Sequence, residues 1–163
     1  MNGPLDSGPH RLTPPMIPGD RAPVMDKLIV GGSVEFKDAS GSTRIDRLAP
    51  RVLRYTNTGR YTTEVGGFAL QHTSLVLDEV GGELCCFYDW WAMTTYSTQA
   101  RADATAFMLK HRAKYRAALF LTSSPMVSMG VNVANVVLGG FLKGTTSRDD
   151  FDRRFAKILG EQS

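Results

Sequence analysis

Few side chains in this sequence combine a reactive group with a setting in which it could act. Asp89 closes the apolar run Leu84-Cys85-Cys86-Phe87-Tyr88 and could serve as an acid or base. No second carboxylate stands beside it to split the two roles. His72 lies on the apolar stripe of a helical pattern with no recognisable nucleophile or orienting carboxylate, so a hydrogen-bonded core histidine is the expectation. Ser97-Thr98 and Ser123-Ser124 precede helical patterns. Hydroxyls at a helix start cap free N–H groups, and the same donors with the helix dipole favour a phosphate there. Cys85 and Cys86 are neighbours in a strand and point to opposite faces, so they cannot share a metal or a disulfide. There is no dinucleotide fingerprint, phosphate-binding loop, nucleophile elbow or zinc-protease motif. Catalysis is therefore not expected, and a small enzyme using Asp89 or His72 is the weakest reading. No cofactor or metal is implied.

The elements that must position these residues follow from spacing. Leu84–Tyr88 reads as a buried strand stopped at Asp89, followed by a helix from about Ser97 to Lys114. Ala117–Leu121 reads as a second buried strand, and Ser124-Pro125 begins a helix that runs to about Leu138. Strand, helix, strand, helix with short joints is the pattern of βαβ units on a parallel sheet. Phe141–Lys143 can add a last short strand. Ser147 then caps a terminal helix burying Phe151, Phe155, Ile158 and Leu159, with Asp149/Arg153 and Asp150/Arg154 at i,i+4. Upstream, Thr62 caps a helix with Val65, Phe68, Ala69, His72, Val76 and Val80 inward, ended by Gly81-Gly82. Before it, Lys27–Val30, Val34–Lys37, the chain from Thr43, and Val52–Thr56 are β-type pieces. Their joints are too short for crossovers, so they pair antiparallel. The fold class is α/β: a mixed sheet with a parallel core, an antiparallel N-terminal edge and about four helices.

Composition narrows the partners. The 163 residues suggest one domain at 26–163, after a Pro/Gly-rich tail at 1–25 that holds six of the eight prolines and is expected to be disordered. The net charge is +3, and the one dense basic run, Lys110 to Arg116, falls at a helix end where cations suit the dipole. Binding to nucleic acid is not expected. The first 25 residues lack the apolar core of a secretory signal, and Met126–Leu142 is too short to span a bilayer. A soluble, cytoplasmic protein with buried free thiols is the expectation.

Trp90 and Trp91 stand at a strand exit, where large aromatics close the core or form a contact surface. Being adjacent, they should point different ways. The helix after Pro125 is apolar almost all round, as in a buried helix or one covered by a partner.

The string Asp89-Trp90-Trp91-Ala92-Met93-Thr94-Thr95-Tyr96, then Ala100-Arg101 and the helix into Lys110-His111-Arg112, resembles a SpoIIAA-like domain of the STAS type (sulfate transporter and anti-sigma factor antagonist). The likeness continues through Leu119–Ser124 and Met129–Asn135 to the terminal helix, covering roughly residues 50–160. The resemblance implies a four- to five-stranded mixed sheet used for regulated protein binding. In anti-sigma antagonists a serine in an Asp-Ser-type turn is phosphorylated; here that turn reads Tyr96-Ser97-Thr98-Gln99-Ala100, without the Asp or a glycine. The main functional expectation is a non-enzymatic protein-binding module whose rim comprises Asp89, Trp90, Trp91, Ser97, Thr98, Arg101, Ser123 and Ser124. The second is a carrier or sensor of an apolar small molecule, of the CRAL-TRIO kind to which related sequences are likened. It would need a closed cavity of at least ~300 Å³ between the third helix and the sheet. The exposed Trp or the apolar helix would also suit a homodimer.

Overall fold

The computed structural model describes residues 25–162, so the tail expected at 1–25 lies almost wholly outside the described residues. Six strands form one sheet in sequence order. β1 (Ser33–Lys37), β2 (Gly41–Ala49) and β3 (Val52–Tyr61) are antiparallel neighbours. β4 (Leu84–Tyr96), β5 (Tyr115–Thr122) and β6 (Lys143–Thr145) continue it in parallel from β3. The mixed sheet with an antiparallel N-terminal edge is thus as expected, with six strands rather than four or five.

Each parallel step needs a crossover helix. α1 (Thr63–Val80), α2 (Thr98–Lys110) and α3 (Pro125–Val137) supply these, and α4 (Arg148–Glu161) follows β6. Every step advances the same way along the sheet, so right-handed crossovers place α1, α2 and α3 on one face. There Ala69, Val76, Met108, Val131 and Ala134 pack on Cys86, Tyr88 and Phe120. On the other face Phe151 of α4 packs on Cys85, Phe87, Leu119 and Leu121. The two cysteines do part to opposite faces, and burial pushes the Cys86 thiol up to about 12.

Local chemistry explains the helix starts. Thr62, Ser97, Ser124 and Ser147 each accept an N–H three residues on, and Gly81 ends α1 in the left-handed region at φ 74°. Asp150 binds both Arg153 and Arg154 on α4.

Several elements depart from the sequence reading. Lys27–Val30 is not a strand, although Leu28 is buried against the core. The helix expected to Lys114 ends at Lys110, and Arg112–Lys114 make a separate 3₁₀ turn. The last strand lies at 143–145, because Asn135 binds both the N–H and the carbonyl of Leu142 and holds that residue as helix-end coil.

Arg47 on β2 had no sequence signal and is buried at 1% exposure. Its guanidinium donates to the carbonyls of Leu28 and Pro50 and takes Glu79 of α1 in a two-bonded pair at 3.1 and 3.2 Å. One side chain therefore ties the N-terminal segment, the β2–β3 turn and α1 together. Truncation would strand three acceptors at once. Arg47→Ala should lower unfolding stability by ~3 kcal/mol, read as a drop in the urea midpoint with an unchanged slope.

His72 is inward, as expected, at 2% exposure and beside Phe68, but its Nδ1 has no hydrogen-bond partner. The hydrogen-bonded expectation is thus not met at Nδ1. Burial holds its pKa below the ordinary value, with Asp26 pulling the other way. The unfolded chain takes up this proton near pH 6.5 while the folded one resists, so stability falls as pH drops below that value. The loss in urea midpoint between pH 7.5 and 5.5 should be smaller in His72→Phe than in the parent protein.

Candidate functional site

The middle of the sheet does not stop at Asp89. β4 runs on to Tyr96, because β3 continues to pair with it as far as Tyr61↔Tyr96. The register advances by two on β3 (Thr56, Thr58) and three on β4 (Asp89, Ala92), then by one (Gly59, Arg60) and two (Met93, Thr95). Each mismatch is a bulge of one extra residue. The first changes the phase of alternation. Cys86, Tyr88 and Trp90 face α1–α3, and after the bulge Met93 also faces them, against Tyr61, Val65 and Val127.

Asp89 points to the α4 side and is buried. Arg148, the first residue of α4, grips both its oxygens, one bond measuring 3.1 Å. Arg54 of β3 adds a third bond at 3.1 Å, and the Trp91 N–H donates at 3.3 Å. Burial alone would raise the Asp89 pKa, but Arg148, Arg54 and the Trp91 N–H outweigh it and hold the carboxyl below its ordinary value. Neither arginine was legible as a partner of Asp89, since they lie 35 and 59 residues away in the chain. Arg54 also lies over the rings of Phe155 and Phe151, at 5.3 and 5.9 Å from their centroids.

This cluster pins Trp91. Its carbonyl accepts from the Ser123 hydroxyl at 2.7 Å, its N–H is on Asp89, and the Arg148 guanidinium stands 5.8 Å from its ring centroid. The indole is nonetheless 44% exposed. Trp90 turns to the opposite face, packing among Tyr61, Tyr88 and Phe120 with its indole N–H buried and unpartnered. The expectation that the two tryptophans diverge holds.

The remaining rim residues separate into a second group. Ser97 caps α2 and Ser124 caps α3, leaving Ser123 as the hydroxyl that reaches Trp91. Ser97, Thr98 and Arg101 lie past the end of β4, on the order of 15–20 Å along the strand from Trp91. Arg101 stands 5.7 Å from the Tyr96 ring centroid. The eight residues therefore do not form one continuous rim: Asp89 and Ser123 gather at Trp91, while Trp90 faces the other way and shares a cavity lining with Arg101.

Between the sheet and α1–α3 lies an apolar cavity of about 60 Å³, lined among others by Tyr61, Trp90, Met93, Tyr96 and Val131. That is well short of the ~300 Å³ a carrier of an apolar molecule requires. Among the described residues, neither Asp89, held by two arginines, nor buried His72 lines the apolar cavity. Among the described residues no three His, Cys, Asp or Glu side chains come together as metal ligands, and no helix is long and apolar enough to cross a membrane.

Among solved structures, the chain is similar to a crystal structure of an uncharacterized protein of the DUF3478 family with a SpoIIAA-like fold, from Shewanella loihica PV-4. The likeness spans 71% of this chain and 94% of that one, with 19% sequence identity and a TM-score of 0.51. The fold is SpoIIAA-like. No protein-family model and no curated protein matches the sequence.

The SpoIIAA-like frame places Asp89 where it joins β3, β4 and α4, so Asp89→Asn should loosen α4 at its first turn. Faster amide exchange over Phe151–Arg154, with β1 and β2 unaffected, is the expected outcome.

Proposed function

We propose that this SpoIIAA-like domain is a non-enzymatic module that binds a protein partner, with Trp91 at the centre of the contact. The observation that carries this reading is an exposed indole whose backbone and ring are both held. Trp91 is fastened by Ser123, Asp89 and Arg148 yet is 44% exposed. Large exposed aromatics held rigid before binding lose little freedom on association and dominate interface energetics. Arg148, 40% exposed at its side chain, borders the indole with positive charge. A partner offering an apolar pocket edged by carboxylates fits that surface best.

Ser97 and Thr98 are the second part of the reading. Thr98 is exposed at the first position of α2, and Ser97 holds the cap. A phosphate on Thr98 would sit at a helix N-terminus, where backbone dipoles favour negative charge. It would change the surface without unfolding the helix, which is what a partner switch needs.

The test uses affinity capture from the native host, with quantitative mass spectrometry and purified partners measured by calorimetry. Trp91→Ala should weaken a true partner by roughly 30-fold, the loss expected of a central aromatic anchor, while the circular dichroism spectrum stays unchanged. Thr98→Glu should alter the captured set. If both variants, folded, keep every interaction at parental strength, the proposal is wrong.

A further inference from the structure

The face of α3 turned away from the sheet has no cover. Val127, Gly130, Val131 and Ala134 form its inner side. Met126, Met129, Val133, Val136 and Val137 form the outer one and are 45–83% exposed. The third helix was expected to be buried or covered by a partner, and within this chain only half of it is buried. Five such side chains on one helix face make a patch of the few-hundred-Å² order at which exposed apolar surface marks an interaction site.

We infer that this face is a homodimer interface in which two copies of α3 pack antiparallel across a two-fold axis near Val131. Three features point to a second copy. First, the exposed positions 126, 129, 133 and 136 step by three, four and three, the seam spacing of helix-on-helix packing. That series reads the same in both directions, so reversing the helix superimposes the seam on itself. Second, the residues alternate in size under that reversal. Met126 meets Val136 and Met129 meets Val133, large against small, which is how facing side chains interdigitate. Third, no charged residue occurs between Pro125 and Leu142. A charged partner would find nothing to pair with, whereas a two-fold pairing brings no like charges together.

Asn132, exposed on the same side and next to the axis, fits the arrangement. A carboxamide carries both donors and an acceptor and can bind its own copy. Self-association through a sheet edge is a poorer route, because β6 is three residues long and begins with Lys143, and the other edge strand, β1, carries Glu35 and Lys37. A 13-residue helix spans about 20 Å, so the pair buries less than the ~800 Å² per partner of a standard interface. The dimer should therefore be reversible, with a micromolar midpoint. This inference does not depend on the partner-binding role of Trp91, which lies outside the seam.

Sedimentation equilibrium of the full 163-residue protein should show conversion from monomer to dimer between low and high micromolar concentrations. Met129→Glu/Val133→Glu alters only exposed positions and should raise the dissociation constant roughly tenfold or more at an unchanged melting temperature. Asn132→Cys, the two native cysteines being buried, should yield a dimer with a short thiol-to-thiol cross-linker, and Ala102→Cys on α2 should not. A parent protein that stays monomeric throughout, including one that instead sediments with phospholipid vesicles, overturns the inference. So does a double-glutamate variant that dimerises like the parent.

Discussion

A single carboxylate in the middle strand holds the carboxyl end of this sheet together. Asp89 stands level with the ends of β5 and β6, and two arginines from distant parts of the chain close on it. Without that ion pair, α4 would keep its apolar seat on Phe87 and Leu121 but lose the polar tie that fixes its first residue to β4. The charges are half-shielded, so their attraction is stronger than at an open surface, and each oxygen of the carboxylate is engaged. The same contact holds the tryptophan beside it. Stability and surface are joined at one residue.

Arg47 performs the corresponding task at the other end of the molecule. There the tie runs between the N-terminal segment, the β2–β3 turn and α1, and the buried guanidinium has a partner for each of its nitrogens. Both anchors are charged groups inside a chain of ordinary composition. They occur where helices of opposite faces must be registered against a sheet whose apolar surface alone would let them slide.

What could be read from the sequence and what could not divides along distance in the chain. The caps at Thr62, Ser97, Ser124 and Ser147 were legible because a hydroxyl and the N–H it accepts are three residues apart. The buried strands and the divergence of Cys85 from Cys86 followed from period-two geometry. Asp89 misled for the opposite reason: an acid after an apolar run reads as a strand end unless its two arginines are known. The bulges in β4 left no mark in composition, and the rim that seemed continuous in sequence is divided between the two faces of the sheet, Trp91 on one and Trp90 with Arg101 on the other. The helix after Pro125 posed a different difficulty. A segment apolar on all sides carries no information about which side meets the core.

That last question is settled by one glycine. A Cβ at Gly130 would lie 2.6 Å from the Tyr96 ring, so the ring rests directly on the helix backbone. With an aromatic plate seated in that notch, α3 cannot turn about its own axis without collision. Its outward direction is decided from the inside, by a residue that no partner touches. Mounting and display are thus separate problems in this helix: the outer side chains can be exchanged to suit a new neighbour while the angle at which they are presented stays the same.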